Sequence, residues 1–459
     1  MLLKKNILYI LIISFFLLHL IYLNTPFVNL EWVYKIGTDY FINLNPNDLS
    51  KYFSNQANPI TYSFFSSFLV YVFGENFISY RLLALLGGTI ILLCFVKYRS
   101  PFLILMIGLN PLIWVYSGRA YSELFSVGLM ILAIEIEKKA YFRGLIGVIS
   151  ASVKYHSILF LGPYWAFKWL ETLFEKKKFE INNQYLKSSI VLVFGFLFFL
   201  FLYFYVFDIW IIPDKWKDDL ALFIPDLFNN FFSYGFYLSA LFCITAPYFL
   251  FNSKLKSHLI AISISIPLAI LNQDNGEMNF GSLDQLIGSE LILLIKIIGF
   301  WNFILCSELF LKNKENRILC LTILIFILLL STTRPAQRYL IYIIPFWALM
   351  IHQSRIHIHV FYKWGYIFAL LIVNIFVTLY QVSNAKASEN IIFWAKENNL
   401  SINTNVIYPH VGYASNHSWN SDLVVRLHKD INDQIIYESP VSVLNYEIRK
   451  YIVVKETKN

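Results

Sequence analysis

Residues 58–88, NPITYSFFSSFLVYVFGENFISYRLLALLGG, contain two apolar runs that are separated by the polar break Gly74-Glu75-Asn76. The second run continues to Val96 and is long enough to cross a bilayer core of about 30 Å. The first run, 60–73, has only about 14 residues, and we expect it to lie in the membrane interface. This stretch predicts membrane helices.

The composition extends that interpretation to most of the 459 residues. Hydrophobic residues make up 58% of the chain and charged residues 14%, whereas about a quarter of an ordinary soluble domain is charged. Apolar runs of about 14 to 25 residues recur, which excludes a water-soluble enzyme and indicates an all-α polytopic membrane protein. The four cysteines lie inside these runs, so we predict neither a disulfide framework nor a zinc site.

The positions of the charges predict the topology. Basic clusters mark candidate cytoplasmic turns, and the connections between them are polar and mostly acidic, which places those outside. Threading the chain through these turns predicts about thirteen crossings, with the N-terminus inside and 361–380 as the last crossing. The basic clusters are Lys4 and Lys5, Lys97 and Arg99, Lys138 to Arg143, Lys176 to Lys178, Lys254 and Lys256, Lys312 to Arg317, and Arg355 to Lys363.

Between Gly144 and Leu170 the chain must cross out and back, which predicts two half-helices that break near Lys154, Tyr155 and His156. Non-helical backbone at membrane depth is tolerated where it is buried in protein or lines a wet cavity. The break is therefore a candidate site.

The composition changes after residue 380, which predicts two domains: a transmembrane domain over 1–380, with its first outer loop at 24–58, and a small extracytoplasmic α/β domain over 381–459. In the second we predict a helix over 387–398 and strands at VIYP, 406–409, and KYIVV, 450–454. The sequence has no GxGxxG-type phosphate loop, and nothing indicates a nucleic-acid partner.

Ionisable residues near membrane depth are costly, so each is a functional hypothesis. The alternative is that each is an interfacial charge that reaches water, or half of a structural ion pair. Four predicted outer turns supply such residues to one side of the membrane: Glu31 and Asp39, Arg119 and Glu123, Lys154 and His156, and Arg334 and Arg338.

An enzyme that transfers a group from a lipid-linked phosphate donor needs a set of residues like this one. Arginine and lysine bind phosphate oxygens through charge-assisted hydrogen bonds, a role that fits Arg334, Arg338 and Lys154. A carboxylate can take the proton of an acceptor hydroxyl that attacks an anomeric carbon. Glu31 is the first choice for this base, and Asp39, about two helical turns further on, is the second.

Four segments resemble the GT-C superfamily of polytopic glycosyltransferases that use polyprenyl-phosphate sugars, in particular the protein O-mannosyltransferase and lipid A aminoarabinose transferase group. Residues 58–88 are similar to its most recognisable segment. Three further segments are similar to later motifs. The matching positions are Pro59, Tyr62, Phe73, Gly74 and Arg81, then Glu123 in LNPLIWVYSGRAYSE, Lys154 in VKYHSILFLGP, and Arg338, Tyr339 and Pro345 in QRYLIYIIPF.

The resemblance implies an inverting hexosyl- or pentosyltransferase of a bacterial inner or plasma membrane, with its active site and C-terminus extracytoplasmic. Its partners would be a polyprenyl-phosphate sugar and a sugar, lipid or protein acceptor. The family's first outer loop carries an Asp-Glu pair and a tyrosine three residues later. Glu31 and Tyr34 match, whereas Leu30 stands in place of the Asp, so either Glu31 serves as the base or the reaction is altered or lost.

Two other functions use similar residues. A transporter or lipid flippase also buries charges in a wet cavity, but such folds often have corresponding breaks in two halves, and one convincing break is found here. An outer-face polysaccharide polymerase or ligase shares the lipid-phosphate donor. Acidic pairs could hold a divalent cation, although no ligand set is specific for one, so no metal site is predicted.

Overall fold

The computed structural model describes residues 2–27, 31–136, 139–176, 183–214, 226–272, 289–333, 335–354, 356, 358–403, 421–427 and 434–455. Arg334 and the VIYP segment lie outside these ranges. The described chain is mainly helical, and its strands lie near the C-terminus.

The first part of the chain, up to Lys176, contains ten helices of 7 to 22 residues among the described residues. They are α1 (Leu2–Leu23), α2 (Glu31–Asn43), α3 (Pro46–Asn55), α4 (Thr61–Phe73), α5 (Phe77–Phe95), α6 (Pro101–Gly108), α7 (Pro111–Ser117), α8 (Ser122–Glu135), α9 (Ala140–Val153) and α10 (His156–Lys176).

The later helices are α11 (Gln184–Phe207), α12 (Leu227–Leu241), α13 (Ala246–Asn252), α14 (Leu255–Leu271), α15 (Ser289–Lys312), α16 (Lys314–Ser331), α17 (Ile344–Gln353) and α18 (Val360–Glu397). Short 3₁₀ segments lie at Val96–Tyr98, Cys243–Thr245 and Gln337–Tyr342. The strands are β1 (Leu423–Arg426), β2 (Gln434–Val443) and β3 (Tyr446–Lys455).

Several of these helices are long and apolar enough to cross a membrane, as expected for a multi-pass membrane protein. Among the described residues, five helices pass by length and composition, and a sixth span results if α12 and the bent segment after it, Cys243–Asn252, count as one. The five are Asn6–Leu23, Phe77–Tyr98, Gln184–Phe207, Glu290–Lys312 and Val360–Glu397. The count of thirteen crossings, which includes shorter helices, stays a prediction.

Both breaks that the sequence indicates are present. Gly74 ends α4 with a φ of 81°, a conformation that suits glycine because it has no Cβ. Asn76 then accepts a hydrogen bond from the Ser79 backbone N–H at 2.9 Å, which caps α5. At the second break, α9 ends at Val153, Lys154 is extended, and α10 begins at His156.

The chain divides into two compact units, which are described separately. The first unit comprises Met1–Ile12, Ile90–Ile113 and Ser126–Ala369. Its helices α9 and α11 approach closely at Gly144, where an added Cβ would lie 2.6 Å from the Val191 Cβ and 2.9 Å from the Ser188 carbonyl oxygen. Phe160 of α10 stacks on Phe346 of α17 at 4.8 Å between ring centroids.

The second unit comprises Ile13–Thr89, Trp114–Phe125 and Leu370–Asn459. At its C-terminal end an antiparallel sheet of order β1-β3-β2 packs on the last turns of α18. The shared core contains Ala387, Ile391, Ala395, Val441, Tyr451 and Val453. The predicted strand at 450–454 is confirmed as part of β3.

The helix expected at 387–398 is wrong in extent, because it is the last part of α18, which runs unbroken from Val360 to Glu397. No glycine or proline follows Gly365 in this helix. Its apolar positions keep a helical period into the C-terminal core, so nothing stops the helix at residue 380. The domain boundary at 380 stays a prediction.

Candidate functional site

The predicted site residues fall into two groups. Glu31, Tyr34, Asp39, Arg119 and Glu123 belong to the second unit. Lys154, His156, Arg338 and Tyr339 belong to the first. Arg334 lies outside the described residues.

Glu31, the first residue of α2, is fully buried and is held by a bidentate ion pair with Arg81 of α5. Arg81 Nε donates to Glu31 Oε1 at 2.7 Å, and Nη2 donates to Oε2 at 2.9 Å. The Ala120 backbone N–H also donates to Oε1, at 2.8 Å. Parallel N–H···O⁻ bonds of this kind are strong and fix orientation. Both oxygens of Glu31 are therefore already engaged.

Arg81 also organises the segment that follows α1. Its Nη1 donates to the carbonyl oxygens of Leu23 and Thr25 at 2.6 and 2.7 Å, and its Nη2 donates to that of Pro26 at 3.0 Å. Arg81 is one of the matching motif positions in 58–88, but the motif predicts no role for it. Its position inside an apolar run was the available signal, because an arginine there needs a partner.

Tyr34 joins α2 to the same neighbours. Its hydroxyl shares a hydrogen bond with Ser122 Oγ at 2.8 Å, and its carbonyl oxygen accepts from Ser63 Oγ at 3.0 Å. Glu123, at 1% exposure, lies in the first turn of α8, where the helix dipole favours a carboxylate. Segments 31–34, 58–88 and 120–123, each singled out separately by its motif, are thus hydrogen-bonded to one another.

Asp39 lies two turns along α2 in a half-buried polar cluster. Lys35 Nζ contacts Asp39 Oδ2 at 2.6 Å and Glu75 Oε1 at 2.8 Å, and the Tyr80 hydroxyl donates to Asp39 Oδ1 at 2.9 Å. Burial raises the pKa of the Asp39 carboxyl and the Glu75 charge adds to this, while the hydrogen bonds from Lys35 and Tyr80 oppose it. At 22% exposure, the Asp39 side chain is more accessible than Glu31.

A small cavity adjoins the Glu31–Arg81 pair. Its volume of ≈ 10 Å³ is room for about one water molecule. Arg119 lines it together with Tyr22, Thr25, Pro26, Gly118, Gln381, Val382 and Ala385.

In the first unit, the Tyr339 ring gathers three predicted site residues. Lys154 Nζ lies 5.7 Å and Arg338 Cζ 5.4 Å from the ring centroid. The His156 imidazole stacks on the ring at 4.2 Å. Lys154 is 1% exposed, so the break between α9 and α10 brings a lysine into the protein interior beside a second cation. Two cations beside one aromatic ring suit an anionic ligand.

Buried hydroxyls hold this break in place. Ser150 Oγ donates to the Ser126 carbonyl at 2.7 Å, and Ser157 Oγ lies 2.6 Å from Ser126 Oγ. The Tyr342 hydroxyl donates to Ser126 Oγ at 3.1 Å. These bonds join α8, α9, α10 and the 3₁₀ segment at Gln337–Tyr342, which carries Arg338 and Tyr339.

In the part of the chain that the structure describes, no group of three or more His, Cys, Asp or Glu side chains could hold a metal ion.

No protein-family model matches the chain, and no curated protein matches it. Among solved structures, the chain is similar to the crystal structure of ArnT from Cupriavidus metallidurans in the apo state. The two sequences are 12% identical, the match covers 96% of this chain and 97% of that chain, and the TM-score is 0.41.

Proposed function

We propose that this protein is a membrane glycosyltransferase that moves one sugar from a polyprenyl-phosphate carrier to an acceptor outside the membrane. The observation that carries the proposal is that residues from two other separately matched motifs, Arg81 and Ala120, both donate hydrogen bonds to Glu31. Arg81 lies 50 positions and Ala120 89 positions from Glu31. Chance matches to degenerate motifs have no reason to converge on one buried carboxylate.

The phosphate of the donor is assigned to Lys154 and Arg338. Both cations flank the Tyr339 ring, and the guanidinium can hold two phosphate oxygens at once. Arg334, four positions before Arg338 in the sequence, is proposed for the same role.

The general base is assigned to Asp39 in preference to Glu31, although the sequence favoured Glu31. Arg81 and the Ala120 N–H hold both oxygens of Glu31, so taking a proton would disrupt a fully buried ion pair. Lys35 and Tyr80 also contact the two oxygens of Asp39, so the preference rests on the exposure of the side chain. Asp39 is partly exposed, and the rise in its pKa moves it toward working pH, where a general base is most effective. Glu31 is then a positioning residue that fixes the start of α2.

The proposed step is a single displacement with inversion. An acceptor hydroxyl oxygen forms a bond to the anomeric carbon while the bond from that carbon to the phosphate oxygen breaks. The hydroxyl proton goes to the carboxylate, and polyprenyl phosphate leaves with its charge stabilised by Lys154 and Arg338.

The test compares surface glycans and glycolipids of cells with and without the gene by mass spectrometry. We expect the gene to add one sugar residue to one glycan class, and the Arg338→Ala variant to lose that addition. The exposed Arg317→Ala serves as the matched control and should keep it. Identical glycans in both cells would contradict the proposal, and accumulation of a lipid-linked sugar on the inner leaflet alone would favour a flippase.

A further inference from the structure

The β2–β3 hairpin ends in an apolar tip that is exposed among the residues that the structure describes. Leu444, Tyr446 and Ile448 are 63%, 77% and 56% exposed. The pairing of Val443 with Tyr446 leaves Leu444 and Asn445 as a two-residue turn. Both have positive φ, 48° and 69°, the signature of a type I′ turn.

Leucine is a poor residue for this turn. Its first position favours Asn, Asp or Gly because those residues tolerate φ > 0. A hairpin that met only water would gain stability from such a residue. The chain instead places the hydrophobic Leu444 side chain at the end of the hairpin. This indicates that the tip meets an apolar surface.

The hydrogen bonds to α18 show where the tip lies. Ser439 Oγ donates to the Ala387 carbonyl, and the Ser442 N–H donates to Ser383 Oγ. From Ser439 to Ser442 the strand therefore runs back toward the start of α18. Leu444 lies two residues beyond Ser442, which is about 7 Å of strand and the rise of about four helix residues, so it lies about level with Leu379 and Tyr380.

The contacts of Arg449 also place the hairpin near Tyr380 of α18. The Arg449 guanidinium lies 5.4 Å from the Tyr380 ring centroid and donates to Asn384 Oδ1 at 2.7 Å. Arg449 pairs with Val441, so the tip lies beyond it, further toward the start of the helix.

The surface of α18 that leads up to this level is apolar and exposed. Ile372, Ile375, Phe376 and Leu379 are 37% to 51% exposed, and they belong to a helix long and apolar enough to span a membrane. Such side chains face lipid when the helix spans. The hairpin tip thus continues a lipid-facing surface at the point where α18 leaves the bilayer.

We propose that the tip formed by Leu444, Tyr446 and Ile448 inserts into the lipid interface next to α18, and so anchors the C-terminal sheet to the membrane surface. Tyrosine suits this depth because its ring is apolar and its hydroxyl reaches the headgroups. Glu447, which lies between Tyr446 and Ile448 and is exposed, keeps the insertion at headgroup level, since a carboxylate in hydrocarbon is costly.

Photo-crosslinking of the full-length protein tests the proposal. A benzophenone amino acid replaces Tyr446 in one variant and Leu444 in another, in phosphatidylcholine nanodiscs whose acyl chains carry an alkyne tag. Phe393 is the control position, because it is 52% exposed but lies about 20 Å further along α18 than Tyr380.

We expect several-fold more lipid adduct at 446 and 444 than at 393. Adduct at 446 and 444 that is no greater than at 393 would overturn the proposal. Crosslinks from the tip to a second copy of the protein instead of lipid would overturn it as well.

Discussion

The Glu31–Arg81 pair is buried so fully that removing one charge leaves the other uncompensated. We predict that Arg81→Ala lowers the free energy of unfolding by about 3–5 kcal/mol, the usual cost of breaking a buried ion pair. Denaturant titration in detergent measures this loss. As a control, Lys450→Ala breaks the exposed pair with Glu438 and should leave the titration unchanged. A similar free energy of unfolding for both variants would contradict the stabilising role of the Glu31–Arg81 ion pair.

The Asp39 cluster predicts opposite pH shifts from its two charged neighbours. The base is active when ionised, so kcat/KM falls as pH drops through its pKa, which burial has raised above the ordinary value. Glu75→Gln removes a negative charge that raises this pKa, so the acid limb should move to lower pH. Lys35→Gln removes hydrogen-bond and charge stabilisation of the carboxylate, so the limb should move to higher pH.

Profiles of kcat/KM against pH for the wild type and both variants measure these shifts. If the acid limbs of the two variants moved in the same direction, or if neither moved, Asp39 would not be the group that sets the acid limb.

The sequence predicts the carboxylates of α2 and the cations of the later turns as site residues, because residue type and motif position are local properties. It favoured Glu31 over Asp39 as the base. Glu31 is engaged by Arg81, which is 50 positions away, and only the folded chain shows that pairing. Leu30, which replaces the family's Asp, made Glu31 the obvious substitute on sequence grounds alone.

The contact between α9 and α11 depends on a small residue. Gly144→Ala would place a Cβ 2.6 Å from the Val191 Cβ and 2.9 Å from the Ser188 backbone oxygen, and overpacking of this kind costs about 1–3 kcal/mol. Gly162→Ala in α10 is the matched control, since an added Cβ meets nothing within 4 Å there. We expect the first change to lower the thermal midpoint in detergent and the second to keep or raise it. The reverse order would show that α9 and α11 do not pack as described.

The break at Gly74-Glu75-Asn76 was predictable from a local signal, and the break near Lys154 and Tyr155 from the need to cross out and back between two basic clusters. The end of α18 was not, because the expected boundary rested on a change in composition. Lys386, Asn390 and Lys396 are exposed, while Ala387, Ile391 and Ala395 continue the buried side of the helix. The change in composition marks the end of the apolar span and not the end of the helix.

The charges of the chain predict its orientation in the membrane and, with it, a C-terminal domain that is accessible from outside. Cysteine labelling from outside intact cells should reach a cysteine placed at Glu438 and fail to reach one placed at Lys177. Labelling of neither position would show that the number of crossings between them is off by an odd number, and labelling of Lys177 but not of Glu438 would show that the predicted orientation is inverted.

The most direct test follows the leaving group. The purified protein in nanodiscs receives radiolabelled polyprenyl-phosphate sugars and a membrane extract as acceptor, and both the release of polyprenyl phosphate and the sugar on the acceptor are measured. We predict release and transfer in equal amounts, with turnover reduced about 10²- to 10⁴-fold in Asp39→Asn and donor binding retained, while Glu438→Gln behaves as wild type. Translocation of the intact donor without release of polyprenyl phosphate would contradict glycosyl transfer.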